Sequence, residues 1–132
     1  MIRIIYMSTA NYLFPKDELE ELLEKSINNN SKSNITGLLI TKGKTFLQCL
    51  EGNKKDVREL YERIKKDDRH HGVLDLIEEK CDEKLFPDWS MGFKSIENLS
   101  VIESEEINEI TKKDLKHLKN SEVYEIFEYF VK

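Results

Sequence analysis

The chain has 132 residues, 39% of them apolar and 36% charged. That is one domain's length, enough to bury a core without disulfide or metal staples. Six Phe, five Tyr and one Trp against five Gly and two Pro exclude a disordered or fibrous chain, and a net charge of −5 excludes a strongly basic nucleic-acid binder.

Residues 2–7 (Ile-Arg-Ile-Ile-Tyr-Met) are β-branched and aromatic and predict a first strand. Its alternation puts Ile2, Ile4, Tyr6 and Ser8 on one face. The N-terminus does not read as a signal peptide, and no apolar run is long enough to cross a membrane. A helix is predicted over 16–30, with Leu19, Leu22, Leu23 and Ile27 as its apolar stripe. Asp17, Glu18, Glu20 and Glu21 suit the positive end of its dipole. Residues 35–41 and 45–51 read as strands joined by the turn Lys42-Gly43-Lys44. Asn53 can cap a second helix over 54–67, with Val57, Leu60, Tyr61 and Ile64 in register.

Residues 72–80 and 89–94 complete the strands, with Trp89, Met91 and Phe93 facing one way in the last. The order β-α-β-β-α-β-β predicts an α+β fold: a ferredoxin-like βαββαβ unit with an added fifth strand and both helices on one sheet face. Domain boundaries are expected at 1–96 and 97–132, the second a helical extension. There Thr111-x-x-Asp114 resembles a capping box, and Ser121 can cap a helix carrying Val123, Ile126, Phe127 and Phe130. Cys49 and Cys81 form no CxxC, suit a reducing cytoplasmic setting, and read most simply as small buried hydrophobes.

Polar residues at positions the pattern buries are the useful anomalies. Ser26 and Asn30 lie one helical turn apart and extend the stripe of the first helix. Alone, they read equally as a helix end running into a loop. Gln48 sits in Phe46-Leu47-Gln48-Cys49-Leu50, a strand apolar on both faces, where an amide must find partners. It is either a satisfied core residue or a ligand contact. Together Tyr6, Ser8, Ser26, Asn30 and Gln48 can point into the layer between helices and sheet. A polar cluster there costs free energy unless a polar ligand fills it, and a planar, amide-bearing ligand would suit. No GxSxG, Walker loop, GxGxxG or HExxH occurs. His70 and His71 are adjacent and point apart, so no metal site is expected. Arg63, Asp67 and Arg69 are either a solvated helix end or a contact for a phosphate tail.

These residues resemble a known family, the BLUF domains, blue-light sensors that use FAD. The matching blocks run through residues 2–93: Ile4-Ile5-Tyr6-Met7-Ser8, Ser26 and Asn30, Ile35-Thr36-Gly37-Leu38-Leu39, and Phe46-Leu47-Gln48-Cys49-Leu50-Glu51-Gly52. They continue with Leu60-Tyr61-x-Arg63-Ile64, Asp67-Asp68-Arg69-His70 and Phe86-x-x-Trp89-Ser90-Met91-Gly92-Phe93. Cys49 stands where the family often has a branched aliphatic or aromatic residue. The resemblance implies a photoreceptor with non-covalent FAD and no enzymatic activity of its own. It implies Tyr6 as the photochemical electron and proton donor and Gln48 as the amide that switches hydrogen bonds. Asn30 would hold the flavin carbonyl edge and Ser26 would support the ring. Asn29, Arg63 and Asp67 would lie toward the ribityl and phosphate end, and Trp89 and Met91 would relay the state of Gln48.

Two other classes compete. An acylphosphatase-like hydrolase wants an Arg and glycines after the first strand, where Ser8-Thr9-Ala10-Asn11-Tyr12 has neither. A small-metabolite-binding regulatory module would explain the buried amides but not the pairing of Tyr6 with Gln48. For the photoreceptor, output is expected through a downstream protein or a homo-oligomer built on the aromatic tail helix, with neither nucleic acid nor membrane as partner. The other role for the tail is a lid on the open sheet face.

Overall fold

The computed structural model describes residues 1–87, 90–96, 108–109 and 125–126. The strands are β1 (Ile2–Ala10), β2 (Thr36–Lys42), β3 (Thr45–Gly52), β4 (His70–Lys80), β5 (Gly92–Ile96) and β6 (Asn108–Glu109). The helices are α1 (Lys16–Lys32) and α2 (Lys54–Lys65). One mixed sheet has the order β4-β1-β3-β2-β5-β6. The first four strands in this order are antiparallel neighbours, the ferredoxin-like arrangement. β5 adds to the outer edge, parallel to β2.

Both helices pack on one face. Leu19 and Leu23 of α1 and Val57 and Tyr61 of α2 share a core with Ile2, Ile4, Tyr6, Leu39, Leu50 and Phe93 of the sheet. We call this the front. The alternate residues of the same strands, Ile5, Leu38, Ile40, Leu47 and Cys49, join Phe86 in a second core on the back. The period-2 alternation thus gives every central strand two buried faces.

Local chemistry sets the element ends. Asn53 caps α2 as expected, its side chain accepting from Lys55 N–H at 2.9 Å. α1 closes with Asn34 in the left-handed region (φ 53°), and Ile35 N–H returns to the Asn30 carbonyl at 2.9 Å. The β2–β3 turn has Gly43 at φ 59°. Gly37 is needed for another reason: a Cβ there would lie 2.0 Å from the Cys49 carbonyl oxygen, so any side chain would force the strands apart.

Several boundaries differ from the pattern. β1 continues to Ala10 and β4 begins at His70, because the two strands pair to their ends. α2 stops at Lys65, since Lys66 and Asp67 N–H groups turn back to Glu62 and Ile64 carbonyls. β5 begins at Gly92, just after Met91. In the expected helical extension, Asn108 and Glu109 are instead strand, pairing parallel with Gly92 and Phe93. Residues 125–126 are helical, and Ile126 packs on the back core. The expected caps at Thr111 and Ser121, and Trp89, lie outside the described residues.

Candidate functional site

A cavity of about 300 Å³ opens between the two helices on the front of the sheet. Its floor is the sheet itself. Tyr6 and Gln48 are direct partners in the β1–β3 register, and Leu39 lies opposite Gln48 on the other side. Tyr6, Leu39, Phe46 and Gln48 line the floor, Ser26, Asn29 and Asn30 come from α1, and Arg63 and Ile64 come from α2. Asp67, Arg69 and His70 close the end beyond α2.

Two β-bulges shape that floor. The β1–β4 register shifts between Ile5 and Tyr6, so Tyr6 faces Asp75. It shifts again between Met7 and Thr9, where Gly72 takes a φ of 64°. Bulges re-aim side chains beside functional sites. Here Asp75 takes a hydrogen bond from the Tyr61 hydroxyl, and the Tyr61 ring packs 5.1 Å from that of Tyr6.

The polar groups form a chain. Tyr6 donates its hydroxyl to Gln48 Oε1. Gln48 Nε2 donates to the Met91 sulfur at 3.5 Å. Tyr6, Gln48 and Met91 are all buried. Burial pushes the Tyr6 phenol far above its ordinary pKa, with further increments from Tyr61 and the Asp67 charge. Ionisation in place is therefore closed to Tyr6. Its proton can leave only to an acceptor already hydrogen-bonded, and Gln48 Oε1 is that acceptor.

Asn30, 3% exposed, gives one N–H of Nδ2 to the Ser90 carbonyl at 2.8 Å. Asn30 also lines the cavity, and an amide has two donors and an acceptor, more than this one bond uses. Ser26 spends its hydroxyl on the Leu22 carbonyl at 2.8 Å and meets the cavity mainly as a small wall residue. Asn29 and Arg63 line it from exposed positions. Asp67 is committed elsewhere. Its carboxylate accepts from Arg69 Nη2 at 2.6 Å, Nε at 3.0 Å and backbone N–H at 3.0 Å. Hydrogen bonding from Arg69 overcomes partial burial and holds its pKa at about 2. Ser8, expected to face the cavity, instead donates to His70 Nδ1 at 2.8 Å, while His70 Nε2–H donates to the Ile64 carbonyl at 2.5 Å.

Sequence reasoning did not include His70, Lys25 or Phe14 among the site residues, and it weighed Arg69 only as a contact for a phosphate tail. His70 and Arg69 stand in the block Asp67-Asp68-Arg69-His70, which was the available signal. The Tyr61–Asp75 pair depends on a bulge, which no local pattern announces.

A ferredoxin-like sheet with an amide-lined cavity between two helices defines a small-ligand-binding module. The family of sensors of blue light using FAD (BLUF) matches residues 1–92, and the chain belongs to it. It is a blue-light sensor domain that uses FAD. It is 33% identical over 79 residues to the blue light- and temperature-regulated antirepressor BluF of Escherichia coli (strain K12), covering 60% of this chain and 19% of that protein. It is 33% identical over 86 residues to the photoactivated adenylate cyclase subunit alpha of Euglena gracilis, covering 65% of this chain and 8% of that protein. The chain thus spans a fifth or less of these two relatives. The dark-state structure of BlrB, a BLUF protein, superposes with a TM-score of 0.73 at 27% identity, over 97% of this chain and 90% of that one.

The residues present fit a flavin. The cavity lies at the lower bound of the volumes that hold small molecules. Leu22, Leu39, Phe46 and Ile64 supply apolar faces, while Gln48 and Asn30 supply amide groups at one edge.

Proposed function

We propose that Tyr6, Gln48 and Met91 are the light-driven switch of this sensor, and that the residues at 90–96 carry its output. The observation that carries this reading is the hydrogen-bond chain from Tyr6 through Gln48 to Met91 on the cavity floor. FAD, when bound, supplies a photoexcitable electron acceptor. Tyr6 gives up an electron, and its phenolic proton moves to Gln48 Oε1. A phenol loses an electron more readily as its proton leaves, so the preformed bond to Gln48 lowers the cost of the step. With FAD bound, return of the electron and of a proton to Tyr6 would leave the Gln48 amide rotated or tautomerised. Its N–H would then turn from the Met91 sulfur toward the cavity, and a hydrogen bond donated there to the chromophore edge would shift absorption to the red. Met91 loses a partner, and this biases the chain that follows it into β5.

Asn30 holds the carbonyl edge of the ring, and Ser26 shapes the wall beside it. Asn29 and Arg63 face the ribityl and phosphate end. Asp67 acts there through Arg69, which it orients. Residues 1–96 form the sensor unit, cytoplasmic and without catalysis of its own, and residues 97–132 form the extension. The output passes to a partner protein or a second copy of the chain. Ile126 favours a tail that covers the back core, since this residue of the expected apolar stripe packs there, partly buried. Trp89, the other expected relay residue, lies outside the described residues, so the relay is assigned through Met91. An absorption spectrum of the FAD-loaded protein before and after blue light tests the whole reading. A yellow protein with a reversible red shift is expected. Protein that takes up no flavin, or a spectrum indifferent to light, overturns it.

A further inference from the structure

On the back of the sheet, Glu51 lies three residues beyond Gln48 along β3 and faces the other way. Its carboxylate is fully buried yet heavily engaged. Arg3 contacts Oε2 through Nε and Nη2, both at 2.9 Å. Leu85 N–H donates to Oε2 and Phe86 N–H to Oε1, each at 2.9 Å. Arg3 reaches further, donating to the Glu83 carbonyl at 3.1 Å and the Glu79 carboxylate at 2.5 Å. Burial would lower the Arg3 pKa, but Glu79 and Glu51 raise it on balance, so the guanidinium keeps its charge. Arg3 and Glu51 are register partners on β1 and β3, the two strands that carry Tyr6 and Gln48 on the other face.

Residues 83–86 are therefore tied to β1 and β3, and residues 90 and 91 to α1 and β3. The backbone at 83, 85 and 86 is held from the back by Arg3 and Glu51. At 90 and 91 the chain is held from the front by Asn30 and Gln48. We infer that Arg3 and Glu51 are positioning residues for the photocycle: they pin residues 83–86 to the switch strands and so hold Met91 within reach of Gln48. The inference rests on the switch reading given above. Light removes the front tie at Met91, while the back tie stays. Met91 then waits beside Gln48 as the restoring partner, and the displacement is directed onward into β5. With the back tie loosened, the sulfur has to be found again, and thermal return slows.

Glu51→Gln in the full chain tests this, because the amide keeps one acceptor oxygen and loses the other. In flavin-free protein, amide exchange should speed by about tenfold at whichever of Leu85 and Phe86 faces the new NH2 group, the scale of one lost bond to a charged acceptor, with β1–β3 ladder amides unchanged. In FAD-loaded protein, dark recovery should slow by a similar factor, about tenfold, with flavin affinity and the size of the red shift unchanged. Arg58→Gln, which removes an exposed ion pair with Glu78, should alter neither quantity. If Glu51→Gln does not fold, Arg3→Lys is read in the same way, since it keeps the charge and loses the fork. Unchanged exchange at 85–86 overturns the inference. So does faster exchange with recovery unchanged or quickened, which would make the pair a fold element only. If the unsubstituted protein shows no red shift, the switch reading itself has failed, and the exchange result still reports on the clamp.

Discussion

The two faces of this sheet bury polar groups from the same strands and use them in opposite ways. On the back, β1 contributes Arg3 and β3 contributes Glu51, and the Glu51 carboxylate is filled with donors. On the front, β1 contributes Tyr6 and β3 contributes Gln48, whose amide spends one N–H on a sulfur, a weak acceptor. The back network is closed and fixes structure. The front network lines a cavity, and on the proposed reading its weakly held amide is what exchanges partners with a bound chromophore. Burial alone does not separate the two. The separating quantity is how much donor and acceptor capacity remains unspent.

The contrast is most exposed to failure at its centre. Tyr6→Phe and Gln48→Leu should each keep flavin and abolish the red shift entirely, because Phe has no proton to give and Leu has no hydrogen bond to switch. Each should lower unfolding free energy by about 1–3 kcal/mol, because it leaves the partner's buried polar group unsatisfied. Difference spectra and urea titrations read the two halves separately. A normal red shift in either variant removes that residue from the switch.

The back face should answer in the other currency. Glu51→Ala leaves the Arg3 guanidinium and two backbone N–H groups without their acceptor, and breaking a buried pair this way costs about 3–5 kcal/mol. Urea unfolding of the flavin-free chain would measure it. A loss under about 1 kcal/mol would place the network on the scale of exposed ion pairs and dissolve the contrast between the faces.

Much of the front face was legible from sequence, because its signals are local. Tyr6 and Gln48 stand out as polar residues inside apolar strands, and Asn30 continues a helical stripe. The strand and helix order sufficed for the ferredoxin-like core. The back network was not legible. Arg3 and Glu51 are single charges in strands, and only the register that makes them partners shows that they face a buried layer. His70 was hidden for the same reason, since its bond to Ser8 joins β4 to β1. β4 was placed two residues short at its start, because only its pairing with the end of β1 shows that His70 and His71 belong to the strand.

A smaller effect sharpens the front face alone. Asn30→Ala should weaken flavin binding by about 1–3 kcal/mol, the cost of leaving a buried carbonyl without its donor. Equilibrium dialysis against FAD would show it, and unchanged affinity would move Asn30 out of the site. Because Asn30 also holds the Ser90 carbonyl, its loss should disturb the photocycle more than an equal loss of affinity at Arg63 would.

The smallest effect concerns Asp67, the cavity-lining acid that the arrangement has already neutralised. Its folded pKa is about 2, chiefly through the Arg69 guanidinium, with a further contribution from the Arg69 backbone N–H. An unfolded Asp titrates near ~3.9. The folded pKa is the lower one, so the ionised form is favoured by folding. Its contribution is complete above about pH 5 and fades as pH falls toward about 2. The side chain is 32% exposed, and solvent screening holds the contribution to roughly 1 kcal/mol. Other carboxylates titrate over the same range, so the informative quantity is the difference between the protein and its Asp67→Asn variant. Urea midpoints at about pH 6 should favour the unsubstituted chain, and the gap should close by about pH 2. A gap that stays constant with pH would mean that the amide replaces the carboxylate fully as an acceptor for Arg69. The charge on Asp67 would then play no part in ordering that end of the cavity.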